Sequence, residues 1–275
     1  MKFFIGTLGT ICWLLFVACI VLNSLVALGL VFRKNKNKRA DYFTAVLLIA
    51  FALTCLHHIF VLQNTYEEKP QWLFMPIYLT LSLGMTLFFS VKTRLFPHYR
   101  FVGSDLKHFV LPFGQWIYFI VLFFGYSIAH RQGLGRQFYS PFYGGLEMAL
   151  YIGTFYIYLF GAYRYTQIKF STLRKNKEGG EPLFEALVMR RMLRVMIFLF
   201  WVNSAYIVVD FAMYELLQLD MHDFRGFTRF GDLSFVAMAG WAGLSGLQLL
   251  VRLPYINSSK LAFSILKKVL RYKSK

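Results

Sequence analysis

The chain has 275 residues, 57% of them hydrophobic and 19% aromatic, with 30 basic against 13 acidic side chains and a formal charge of +17. So apolar a composition excludes a water-soluble globule and points to a polytopic membrane protein. Nucleic-acid binding is set aside too, because the basic residues fall in short loops between apolar runs and not on one soluble face.

Seven apolar runs of spanning length follow one another, at Phe3 to Phe32, Tyr42 to Gln63, Trp72 to Val91, Phe109 to Ala129, Tyr143 to Tyr163, Val195 to Leu217 and Phe230 to Val251. About 20 residues at 1.5 Å each cross the hydrocarbon. All seven are expected to be helices, since an open strand leaves its backbone unpaired in lipid and no barrel-like alternation is present. The first run exceeds the core of a signal peptide and reads as a membrane helix. Cys12, Cys19 and Cys55 lie inside apolar runs without CxxC spacing and are expected as free thiols.

Charge chooses the orientation. With the N-terminus outside, 24 of the 30 basic residues fall on the cytoplasmic side: the loop Arg33 to Arg39, the loop Lys92 to Lys107, the connection Arg164 to Arg194 and the segment from Arg252 onward. Lys and Arg flanking a span resist translocation, so the expected topology is N-out, C-in. Between spans five and six, Gly179, Gly180 and Pro182 mark a turn, after which span six is expected to begin as a charged helix in the cytoplasm. The expected organisation is therefore a seven-transmembrane-helix bundle over residues 1–256. A tail over residues 257–275 follows, with Leu261, Ile265, Leu266 and Val269 on one helical face and its lysines largely on the other. That pattern predicts a basic amphipathic helix on anionic lipid, through Lys267, Lys268 and Arg271. Arg190, Arg191 and Arg194 are further candidates for partner or lipid contact.

Charged groups within a bilayer cost about 2.5–3.5 kcal/mol each on insertion scales, so each marks a candidate site. Glu147, Asp210 and Asp232 fall in the outer parts of spans five, six and seven, at the expected depth of His57 and His58. Helical spacing extends Glu147 to Tyr151, Thr154 and Tyr158, and joins Asn203, Tyr206, Asp210 and Tyr214; Tyr78, Ser82 and Thr86 add a stripe from span three. These groups predict a polar pocket open to the outside, lined by His57, His58, Tyr78, Glu147, Tyr151, Asn203, Tyr206, Asp210 and Asp232. The competing reading is interhelical packing. The histidine pair cannot face one metal ion together, since neighbours on a helix point about 100° apart, and no cofactor, metal or catalytic motif is expected. Gly240, Gly243 and Gly246 on span seven are read as close helix packing, and Ser104 with Asp105 as the cap of span four.

Gly84-Met85-Thr86-Leu87-Phe88-Phe89-Ser90-Val91-Lys92, a basic loop and then Asp105-Leu106-Lys107-His108-Phe109-Val110-Leu111-Pro112-Phe113 resemble the membrane region of a family of bacterial regulators. These are mainly Bacteroidetes-type proteins that carry an AraC-type DNA-binding domain after the last span. Residues 246–255 are similar to the point where those proteins leave the membrane. Met85, Phe88 and Ser90 depart from the family pattern. The resemblance implies a multi-pass sensor in the bacterial inner membrane. No helix-turn-helix domain is expected with this membrane region, so a sensor of this kind is expected to act through a protein partner, without enzymatic activity. The rival expectations are an accessory subunit of a larger membrane complex, and a transporter or membrane enzyme that handles protons on Glu147 and Asp210.

Overall fold

A computed structural model describes residues 6–34, 37–138, 141–176, 180–217, 219 and 225–251. The amphipathic tail, with Lys267, Lys268 and Arg271, lies outside the described residues. Within them the chain is all-helical: α1 (Thr7–Phe32), α2 (Lys38–Leu62), α3 (Thr65–Glu68), α4 (Thr80–Leu95), α5 (Val110–Gly125), α6 (Ile128–Phe138), α7 (Pro141–Lys175), α8 (Glu181–Leu217) and α9 (Arg225–Val251). Six segments are long and apolar enough to cross a membrane: Thr7–Phe32, Lys38–Leu62, Gly103–Gly125, Gly145–Lys175, Pro182–Tyr214 and Gly226–Val251. The protein is a multi-pass membrane protein.

The third expected span departs from the sequence reading. Its first part is not helical: a short 3-10 turn covers Pro70–Trp72, Phe74 takes a left-handed φ of 63°, and Pro76 follows. Proline pushes the residue before it out of the helical region, so Met75 cannot carry a helix into Pro76. The helix starts only at Thr80 and runs 16 residues to Leu95, about 24 Å. Almost every residue of α4 is buried.

Helices α1, α2, α4, α7, α8 and α9 pack in a closed ring in the order α1–α2–α4–α7–α8–α9–α1, with α5 standing outside on α4. Below, outer denotes the end of the bundle at which α1 begins. Helix α4 runs antiparallel to α2 over the depth of the ring. Leu79, just before its start, donates to Thr54 Oγ1 in the outer half of α2, while Asn37 Nδ2, at the inner start of α2, donates to the Thr93 carbonyl. Lipid tails are as apolar as leucine, so close packing rather than water expulsion holds such helices together. Helix α9 meets this demand with glycine: a Cβ on Gly243 would lie 2.9 Å from Leu22, and one on Gly246 would lie 2.9 Å from Leu48. The three cysteines are buried and free. Helix α8 begins at the expected Pro182 turn and extends about 55 Å over 37 residues.

The cap of span four takes a different form from the expected one. A 3-10 stretch, Gly103–Phe109, precedes α5, and Asp105 reaches back to accept the Val102 N–H at 2.9 Å. Ser104 is exposed. The Tyr99 hydroxyl also donates to Asp105, and Lys92 Nζ lies 3.7 Å from that carboxylate and 3.9 Å from the Tyr99 ring centre. Burial, and then the bond to Asp105, raise the Tyr99 phenol above its ordinary pKa, which keeps it a donor.

Candidate functional site

The outer end of the ring holds a cavity of about 330 Å³. Seven of the nine predicted residues line it: His58, Tyr78, Glu147, Tyr151, Asn203, Tyr206 and Asp232. They come from α2, the segment before α4, α7, α8 and α9, and the convergence follows from matched depth. Glu147 lies six residues into α7, Asp232 seven into α9 and His58 four before the end of α2.

His57 and Asp210 stand outside the lining. His57 turns away: its Nδ1 pairs with the Tyr66 hydroxyl at 2.8 Å, and its ring lies 4.6 Å from that of Tyr78. Asp210 lies one turn beyond Tyr206 on α8. The expected stripe of Ser82 and Thr86 also stays out, because both hydroxyls return to their own helix, on the carbonyls of Leu79 and Ser82. Thr154 does the same on Leu150, and the Tyr158 hydroxyl pairs with His108 at 3.0 Å, further inward.

Two polar chains shape the walls. In one, Gln115 Nε2 of α5 donates to Thr80 Oγ1 and to Glu147 Oε1, each at 3.2 Å, while Gln115 Oε1 accepts the Leu81 N–H. In the other, the Tyr151 hydroxyl donates to Asn203 Oδ1, Asn203 Nδ2 donates to Ser234 Oγ at 2.8 Å, and Ser234 donates to the Gly231 carbonyl. Tyr206 holds this position over Gly231, where a Cβ would fall 2.3 Å from the tyrosine ring and turn it aside. Phe155 and Phe200, both buried, stack at 4.1 Å one turn inward of the lining residues Tyr151 and Asn203.

The two carboxylates differ in what surrounds them. Asp232 accepts from Arg229 Nη1 at 2.9 Å and lies 3.6 Å from His58 Nδ1, so a cation of the same helix matches its charge. Glu147 receives one hydrogen bond, from neutral Gln115, and no cation among the described residues pairs with it. Thr228 Oγ1, on the cavity wall, is buried without a hydrogen-bond partner among the described residues. No three His, Cys, Asp or Glu side chains among the described residues converge as a metal site would require.

Sequence reasoning missed Thr80, Gln115, Thr228, Gly231 and Phe235. A signal for Thr228 and Phe235 was present, since they lie four residues before and three after Asp232 on one helical face. Gln115 is the one amide side chain in the apolar run Val110–Gly125.

A second polar cluster, at the inner end, was not foreseen. Arg94 of α4 is fully buried, with its guanidinium 2.7 Å from Asp41 of α2 and 3.2 Å from Glu185 of α8. Thr44 Oγ1 accepts from it at 3.2 Å and pairs with Ser90. Higher on α8, Arg190 lies over the Phe170 ring at 4.5 Å, Arg191 over Trp241 at 5.5 Å, and Arg194 hydrogen-bonds Tyr163. These three candidates for partner contact therefore rest against the chain's own aromatic rings. No protein-family model and no curated protein matches the chain.

Proposed function

We propose that this chain is a non-enzymatic, sensor-like protein of the bacterial inner membrane. It binds a small organic cation in the outer cavity and signals through a protein partner at its inner end. The observation that carries the reading is Glu147: a carboxyl group without a cationic partner among the described residues, in a cavity that the rings of Tyr78, Tyr151, Tyr206 and Phe235 help to line. A carboxylate with aromatic faces suits an ammonium or guanidinium group, because rings attract cations and a desolvated carboxylate strengthens the pairing. The cavity suits a small molecule, and its polar groups are few and convergent.

Seven spans in an N-out, C-in orientation complete the reading. Helix α4 is the seventh span, short for the hydrocarbon core. The irregular stretch before it is tolerated because protein groups satisfy part of its backbone, Arg131 donating to the carbonyls of Gln71 and Leu73 and Thr54 Oγ1 accepting the Leu79 N–H. The charge asymmetry supports the orientation, and the resemblance of residues 84–113 to AraC-type membrane regulators supports the role. The buried stack of Phe155 and Phe200 inward of the cavity favours uptake over passage. Helices α2, α4 and α8 each contribute to both the cavity and the Arg94 cluster, so a ligand that moves their outer ends bears on the inner one.

The test is a thermal-shift panel of primary amines and guanidines against their neutral amide analogues, on protein purified in neutral detergent. Ligands that bind the folded state raise its melting temperature. Stabilisation by cationic members, lost in Glu147→Gln and kept in Asp210→Asn, is expected. Equal response to the neutral analogues, or no response to any cation, contradicts the proposal.

A further inference from the structure

An apolar groove of about 590 Å³ runs along the outside of the bundle at its inner end, between α2 and the start of α5. Its floor is aromatic: Phe43 and Phe101 stack at 5.5 Å, and Phe109 closes the far side, 5.5 Å from Phe89 beneath. Leu106, Val110 and Phe113 form the outer lip and are 69%, 67% and 52% exposed. From Leu106 to Phe113 the lip follows the helix axis for roughly 10 Å.

The rim is basic. Arg39 lies one turn before Phe43 on α2 and donates to the Tyr99 carbonyl, which places it beside Arg100 and Phe101. Arg100 and Lys107 adjoin the groove residues Phe101 and Leu106 in the chain, and all three cations are exposed. The neighbouring carboxylates offer them no partner at the surface, since Asp41 and Asp105 are buried against Arg94 and Lys92. An apolar slot of acyl-chain character therefore ends at three solvent-facing cations, at the level where the helices emerge.

The geometry points to a binding site for one phospholipid with an anionic headgroup, its acyl chain lying over Phe43 and Phe109 and its phosphate between Arg39, Arg100 and Lys107. Charge complementarity at a basic rim selects anionic over zwitterionic lipid. A second copy of the chain fits the groove less well: a stable dimer buries about 20–30 residues a side, whereas this surface offers six side chains beneath a ring of like charges.

Native mass spectrometry of the full chain, delipidated in neutral detergent and titrated with phosphatidylglycerol or phosphatidylcholine, tests this site. Phosphatidylglycerol is expected to bind at one copy per chain, about tenfold or more tighter than phosphatidylcholine. The triple change Arg39→Gln, Arg100→Gln, Lys107→Gln removes the preference. Leu106→Trp, at an exposed position where a larger side chain is accommodated, fills the slot and removes binding of both lipids. Equal binding of the two lipids overturns the proposal, as does a preference that survives the triple change or a lipid-free dimer that Leu106→Trp disperses.

Discussion

Arg94 and Glu147 are ionisable side chains treated in opposite ways by the fold. Arg94 has lost all contact with solvent, and its guanidinium is held by Asp41, Glu185 and Thr44. Its planar fork satisfies two carboxylates on different helices at once, which a lysine ammonium cannot reproduce. Removing one partner of a buried charge pair costs about 3–5 kcal/mol, because the others stay buried and uncompensated. Arg94→Met is therefore expected to lower the thermal midpoint markedly, and Arg94→Lys to recover only part of the loss. Adding Asp41→Asn and Glu185→Gln to Arg94→Met should restore most of it, and a triple variant no more stable than the single one would show that the cluster is not acting through its charges. Little of this cluster was legible beforehand. In the sequence, Arg94 reads as one more loop cation before the turn at Pro97, and its partners lie 53 and 91 residues away. The outer carboxylates were easier to find, since Glu147 and Asp232 interrupt apolar runs and helical spacing gave Glu147 Tyr151 as a neighbour. Spacing put Asp210 on the same face, but the spread of one face is wider than the cavity.

Helix α4 is the element on which the ring closes, and glycine sets how near its neighbours come. A Cβ on Gly84 would lie 3.0 Å from the Phe155 Cα, a backbone atom that cannot yield without moving α7. A Cβ on Gly231 would lie closer still, 2.3 Å from the Tyr206 ring, but a side chain can rotate away. Gly84→Ala is thus expected to lower the melting temperature more than Gly231→Ala does, although its nominal clash is the milder. Gly231→Ala should instead weaken cation binding by displacing Tyr206 from the wall. A reversed order of melting temperatures would mean that α4 and α7 slide apart at little cost. Hydropathy located α1, α2, α5, α7, α8 and α9 to within a few residues at most ends. It missed the helical extension of α7 to Lys175, because charged turns beyond the hydrocarbon carry no apolar signal, whereas the charged start of α8 was read from the turn at Gly180 and Pro182. At α4 it overreached, counting the irregular residues 72–79, of which Phe74 and Ile77 are buried, as helix. Burial inside protein makes a segment as apolar as burial in lipid, and only Pro70 and Pro76 hinted at the difference.

On the scale of the whole molecule, polar groups collect at the two ends of a ring whose middle is packed with Phe, Met and Leu, and α2, α4 and α8 join the ends. Composition made the membrane character plain, and the skew of Lys and Arg gave a side to each end. The closed order of the helices was not legible, because lipid-facing and helix-facing leucines look alike. The reactivity of a cysteine at Thr228 in intact spheroplasts, with Cys12, Cys19 and Cys55 replaced by Ala, tests orientation, access and charge together. A membrane-impermeant cationic thiol reagent should modify Thr228→Cys from outside, faster than an anionic reagent of the same size, and Glu147→Gln should abolish that difference. Modification only after the membrane is opened, or equal rates for the two reagents, would contradict an outward-facing cavity built to take a cation.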